Sequence, residues 1–108
     1  MAQNFRNQVT RNIGTAVDIL TAVDSYDTVV GIRCANVASS TISVDVYIVR
    51  SATNYYLIKN ASITSGQSLE LIDGGAKVIL QSGDAIKAVS DTTSSLDTVV
   101  SYIDAIST

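Results

Sequence analysis

The sequence predicts an all-β fold: an antiparallel β-sandwich, jelly-roll or Ig-like, of about eight strands with a short N-terminal arm. Three observations predict it. Val, Ile and Thr supply 13, 12 and 11 of the 108 residues, and β-branched side chains suit a pleated surface better than a helix. Short runs alternate apolar with polar residues, the period of a strand with one buried face. Clusters of Ser, Asn, Asp and Gly interrupt those runs about every 8 to 12 residues, the spacing of sandwiches and barrels. No helical pattern of about 10–15 residues lies between the runs, which argues against a parallel α/β sheet.

The elements follow in order. Residues 1–12 are polar and carry Arg6 and Arg11 without an acid. Phe5, Val9 and Ile13 stand four apart, so the segment reads either as one short amphipathic helix or as an extended arm. Residues 13–108 read as the sandwich domain. Val17, Ile19 and Thr21 begin the first strand, and Asp24-Ser25-Tyr26-Asp27 is a turn. In the strand 28–37, Val30, Ile32, Cys34 and Asn36 share one face. After the loop Ala38-Ser39-Ser40, residues 41–50 alternate most cleanly, with Ile42, Val44, Val46 and Ile48 toward the core. These two long strands read as a hairpin. Ser51-Ala52-Thr53-Asn54 is a turn, 55–59 a short strand and Thr64-Ser65-Gly66 a turn. Residues 68–72 and 77–80 are strands around Asp73-Gly74-Gly75, where glycine permits the positive φ of a tight turn. The turn Gln81-Ser82-Gly83-Asp84, the strand 85–90, the loop 91–95 and a last strand, 97–105, complete the chain.

Composition narrows function. The chain is 46% hydrophobic and 16% charged, far from the low-hydrophobicity, high-charge composition of disorder. It has no His, so no imidazole serves as base or metal ligand. It has one Cys, too few for an internal disulfide or a cysteine zinc site. No apolar run is long enough for a membrane helix, and the N-terminus lacks the apolar core of a secretory leader. A net charge of −3 does not favour nucleic acid as a partner. No enzymatic activity, cofactor or metal is expected.

The second half carries a distinctive spelling. It runs Tyr55-Tyr56-Leu57-Ile58-Lys59-Asn60-Ala61-Ser62-Ile63, then Ser65-Gly66-Gln67-Ser68-Leu69-Glu70-Leu71. Val78-Ile79-Leu80-Gln81-Ser82-Gly83-Asp84-Ala85-Ile86 follows, and Val99-Val100-Ser101-Tyr102-Ile103 ends it. Together with Asn36 and Val44 to Ile48, this resembles small β-sandwich virion proteins of tailed bacteriophages, especially those of cyanobacteria. The resemblance covers roughly residues 28 to 104, and Thr64 departs from it where Pro or Ala is usual. It implies a non-enzymatic structural protein, either a capsid decoration or cement protein or a neck or tail subunit. Such a protein would be assembled in the bacterial host cytoplasm and located in the virion. The implied partners are other virion proteins and further copies of the chain, arranged as a trimer or as repeated copies ordered on a larger shell. The alternative is a carbohydrate- or receptor-binding sandwich, as in a tail fibre.

The candidate assembly contacts are Phe5, Arg6, Arg11, Tyr47, Tyr55 and Tyr56. Aromatic and Arg side chains are enriched at interfaces, and an arm bearing two arginines could anchor on an acidic neighbour or simply be solvated. Tyr47, Tyr55, Tyr56 and Tyr102 could form an aromatic surface that binds glycans or partner subunits, but at least two of them read as core or sheet-face residues. Cys34 reads as a buried structural thiol. Asn36 reads as satisfying backbone at a strand end, and Asp84 as bonding local N–H groups in its turn. Asp73 has no further ligands at calcium-loop spacing, and the Asn60-Ala61-Ser62 sequon reads as chance.

Overall fold

The computed structural model describes residues 4–21, 26–72 and 77–104. The turn residues Asp24-Ser25 and Asp73-Gly74-Gly75 lie outside these. The described residues form nine strands: β1 (Asn4–Ile13), β2 (Val17–Leu20), β3 (Asp27–Asn36), β4 (Ile42–Arg50), β5 (Thr53–Ile63), β6 (Ser68–Glu70), β7 (Val78–Leu80), β8 (Ala85–Ser90) and β9 (Leu96–Asp104).

They build the expected sandwich from two antiparallel sheets. One sheet has the order β1-β9-β3-β6, with β7 also on β3; the other has the order β2-β8-β4-β5. Since β9 occupies one edge of β3, β6 and β7 share the other edge, at Arg33–Ala35 and Asp27–Val29. Nine strands therefore fill eight lanes. The chain changes sheet at almost every connection, which is jelly-roll rather than Ig-like topology.

The expected hairpin of residues 28–37 with 41–50 does not form, because β3 and β4 belong to different sheets. The crossing between them is held by Asn36, buried at the end of β3. Its Nδ2 donates to the carbonyls of Ser40 and Ile63, each at 2.8 Å, and its Oδ1 accepts from the Ala38 N–H at 2.8 Å. The true hairpin is β4–β5, where Arg50 pairs with Thr53 across Ser51 and Ala52. Both turn residues have positive φ, 53° and 62°, the backbone of a two-residue turn that matches strand twist.

The core lies between the sheets. Val29, Ile32, Cys34 and Val100 of one face Ile19, Val44, Val46 and Ile86 of the other. Ile42, Val44 and Val46 are buried as their alternation predicts, while Ile48 is half-buried at the rim. Val30 departs from its expected place beside Ile32 and Cys34. The β3–β9 register shifts between Val29 and Gly31, so the pleat changes phase there. Val29 becomes fully buried and Val30 exposed.

Residues 4–13, expected as a helix or free arm, form the edge strand β1, paired with β9 from Asn4↔Asp104 to Ile13↔Leu96. Phe5 and Val9 share its outer side. A register shift between Thr10 and Ile13, with Asn12 at φ 57°, turns Ile13 into the core. Gly14 follows in a close approach, where an added Cβ would lie 2.9 Å from the Thr93 backbone.

Candidate assembly face

Strands β1, β9, β3 and β7 lie side by side, so residues in register form rows across the sheet. Val100 of β9 is fully buried, so Val99, Ser101 and Ile103 point outward. The first outward row is Phe5–Ile103–Thr28–Ile79. The next is Asn7–Ser101–Gly31. The third is Val9–Val99–Arg33–Glu70, ending on β6.

This face is unusually apolar for a surface. Phe5 is 80% exposed, Val9 67% and Ile79 53%, with Val30 and Val99 also exposed. Two shallow depressions lie along the β1–β9 seam. One, about 290 Å³, is lined by Phe5, Arg6, Asn7, Val30, Ser101 and Tyr102. The other, about 240 Å³, is lined by Val9, Thr10, Arg11, Asp97, Thr98 and Val99.

The charges at its margins are mostly engaged. Arg6 Nε donates to Asp104 Oδ2 at 3.1 Å. Asp97 Oδ1 accepts the Asn12 N–H at 3.0 Å. Glu70 Oε2 accepts the N–H groups of Ile32 at 2.8 Å and Ile72 at 3.3 Å, so its carboxylate fills the gap between β6 and β7 on the β3 edge. Arg33 lies 3.8 Å from the other Glu70 oxygen.

The opposite sheet has a different outer face. Tyr47 is buried at 7% exposure, its ring 5.1 Å from that of Tyr56. Lys59 Nζ sits 4.5 Å from the Tyr56 centroid and 3.6 Å from Asp45, and Lys87 pairs with Asp18 at 3.0 Å. Tyr55 and Tyr56 are both exposed, but as consecutive strand residues they point to opposite sides. The candidate residues are thus divided. Phe5, Arg6 and Arg11 lie on β1, where Phe5 points to the apolar face and Arg6, the next residue, to its other side, whereas Tyr47, Tyr55 and Tyr56 lie on the other sheet.

Two further groups have shifted acidity. Burial pushes the Cys34 thiol up to about 12, helped by the Glu70 charge, so the thiolate needed for nucleophilic chemistry is absent at neutral pH. Arg50 holds the Asp84 carboxyl below its ordinary value through a fork, Nε to Oδ1 at 2.8 Å and Nη2 to Oδ2 at 2.6 Å. Asp84 Oδ2 also accepts the Gln81 N–H at 2.9 Å, the local turn bond expected of that residue. Among the described residues, no three of His, Cys, Asp and Glu group to hold a metal ion. No helix among them is long and apolar enough to cross a membrane.

Sequence reasoning missed Val30, Ile79 and Val99 as members of the apolar face. A signal existed for Val99: with Val100 it makes the last strand apolar on both sides, more than one core needs.

The fold and this face define a jelly-roll sandwich with one apolar outer sheet surface. No protein-family model matches the chain, and no curated protein matches it in sequence. Solved structures do share its fold. A chain in the acidic stable capsid structure of Helicobacter pylori bacteriophage KHP30 aligns at a TM-score of 0.60 and 12% identity, covering 95% of this chain and 87% of that one. A chain of infectious bursal disease virus, Gx strain, aligns at 0.55 and 5% identity, over 99% of this chain and 34% of that one. A chain of Bacillus endospore appendages, described as disulfide-linked pili, aligns at 0.52 and 13% identity, over 98% and 88%. At these identities the likeness is one of fold.

Proposed function

We propose that this chain is a non-enzymatic structural subunit of a tailed-phage virion that acts by protein–protein assembly. The observation that carries the reading is the outer face of the β1-β9-β3-β7 sheet, where Phe5, Val9, Val30, Ile79 and Val99 are exposed together. Clustered apolar exposure marks interaction surfaces, and the jelly roll is shared with the phage and viral capsid chains above. The bacteriophage resemblance of residues 28–104 supports a place as a capsid decoration or cement protein, or as a neck or tail subunit.

Two alternatives are less well supported. A glycan site favours an aromatic row in a concave groove, but Tyr55 and Tyr56 point to opposite sides of β5 and Tyr47 is buried. A disulfide-linked pilus needs an accessible thiol, and the single cysteine is fully buried.

Mass spectrometry of purified virions, separated into capsid and tail fractions, tests the proposal. The chain is expected in one fraction at a copy number fitting a repeated subunit. Its absence from particles, or turnover in a hydrolase screen that a single Asp or Ser substitution abolishes, would overturn it.

A further inference from the structure

We infer that the apolar face of the β1-β9-β3-β7 sheet docks a second copy of this chain, face to face, about a two-fold axis running across the strands along the Asn7–Ser101–Gly31 row. The inference names the partner of the surface on which the proposed function rests.

The small-residue row, Asn7–Ser101–Gly31, lies between the Phe5–Ile103 row and the Val9–Val99 row. Two facing copies related by an axis in the interface plane, along that middle row, exchange the outer two. Phe5 of each copy then lies over Val9 of the other, and Ile103 over Val99. Every such contact occurs twice, as a two-fold interface requires.

The surface relief fits the same arrangement. Phe5 stands out at 80% exposure. The depression of about 240 Å³ beside Val9 and Val99 lies on the opposite side of the middle row from it. One face therefore carries both the projecting aromatic side chain and the hollow that receives it. An aromatic anchor seated in a pocket is the usual energetic centre of an interface. Ser101 and Gly31 at the centre allow the sheets to approach closely.

Charge and area agree. The third row and its flank present Arg11 and Arg33 with Asp97 and Glu70, two charges of each sign; the axis sets Arg33 over Thr28 and Glu70 over Ile79, so these two charges stay paired within their own chain, 3.8 Å apart, and the apolar contact falls on β1 and β9. Ten residues along β1 and four lanes across span about 33 by 19 Å at ordinary strand spacings. With side-chain relief, that is the scale of the roughly 800 Å² a standard interface takes from each partner.

Sedimentation equilibrium of the full chain, from low micromolar to millimolar concentration, tests the pairing. A concentration-dependent dimer is expected, weakened at least about thirtyfold by Phe5→Asp and unchanged by Tyr56→Asp on the opposite sheet. Circular dichroism checks that each variant keeps the fold. A Ser101→Cys variant should give covalent dimers with a short bis-maleimide, because the two Ser101 positions face each other near the axis. Tyr56→Cys should not, and buried Cys34 does not react. A monomer at every concentration, a trimer, or equal cross-linking of both cysteine variants overturns the inference. The two claims fail separately: a monomer that is present in virions leaves the structural role standing, and a dimer absent from virions leaves only the pairing.

Discussion

Replacing Asn36 with alanine removes the side chain that holds the crossing between the sheets. Three hydrogen bonds of 2.8 Å go with it, leaving the Ser40 and Ile63 carbonyls and the Ala38 N–H without that partner. The Ile63 carbonyl bond is buried and the other two partly buried. At about 1 kcal/mol for each partly buried bond and about 2 for the buried carbonyl, the expected loss is about 4 kcal/mol. For a chain of 108 residues that corresponds to a melting temperature lower by about 18 °C. Thermal and urea unfolding followed by circular dichroism measure both, with an unchanged urea slope indicating that the fold itself is kept. Asn36→Asp sharpens the test. It keeps the acceptor for Ala38 but sets a carboxylate against two carbonyl oxygens, so at neutral pH it should cost at least as much as alanine. The deficit should narrow in acid as protonation restores one donor. A loss below about 1 kcal/mol for Asn36→Ala would refute the reasoning, since the crossing would then not depend on these bonds.

Four more outcomes are expected. Ala52→Gly should stabilise by about 0.5 kcal/mol in urea titrations, because relief of the left-handed conformation outweighs the added freedom of the unfolded chain. Thr98→Val should stabilise by about 1 kcal/mol by the same assay, because the Thr98 hydroxyl is buried without a hydrogen-bond partner and the valine side chain has nearly the same shape. Cys34 should resist a thiol reagent at pH 8 until the protein unfolds, and, with its folded pKa raised to about 12, stability should decline as pH rises from about 9 toward that value. Asp84 has a depressed folded pKa, so its stabilisation is complete above the unfolded value of about 3.9 and disappears as pH falls through the folded value; Asp84→Asn should flatten acid unfolding there.

The sandwich was legible where local pattern and tertiary environment agree. Val44 and Val46 alternate with Ser43 and Asp45, and the observed burial follows that alternation. The strand at 85–90 is bounded by a Gly-Asp turn and a polar loop, and its observed limits are those expected. Legibility failed where the backbone does something its residues do not signal. The register shift beside Val30 reverses the faces of a strand whose composition is apolar on both sides. Ser51-Ala52 makes a two-residue hairpin turn with neither the Asn nor the Gly that usually marks one, so the visible loop at 38–40 was the more inviting hairpin. Nothing local says that this loop leaves one sheet for the other; that follows from Asn36 reaching Ile63, 27 residues away.

The same cause limited the reading of the site. Phe5, Arg6 and Arg11 stand out in a polar segment, but where they lie depends on β1 pairing with β9 at a separation of about ninety residues. A polar strand with an occasional apolar residue looks like an arm until a partner strand supplies the other half of its hydrogen bonds. Once β1 is paired, Phe5 and Val9 fall on one side, opposite Ile103 and Val99, and isolated apolar residues become a continuous surface. The Tyr residues do not form one surface, for a simpler reason. Adjacent strand positions point to opposite sides, so Tyr55 and Tyr56 could not act together, and Tyr47 was already covered by Tyr56. An interface search in a β protein therefore depends on register first, because residue type identifies candidate anchors whereas strand pairing decides which of them share a face.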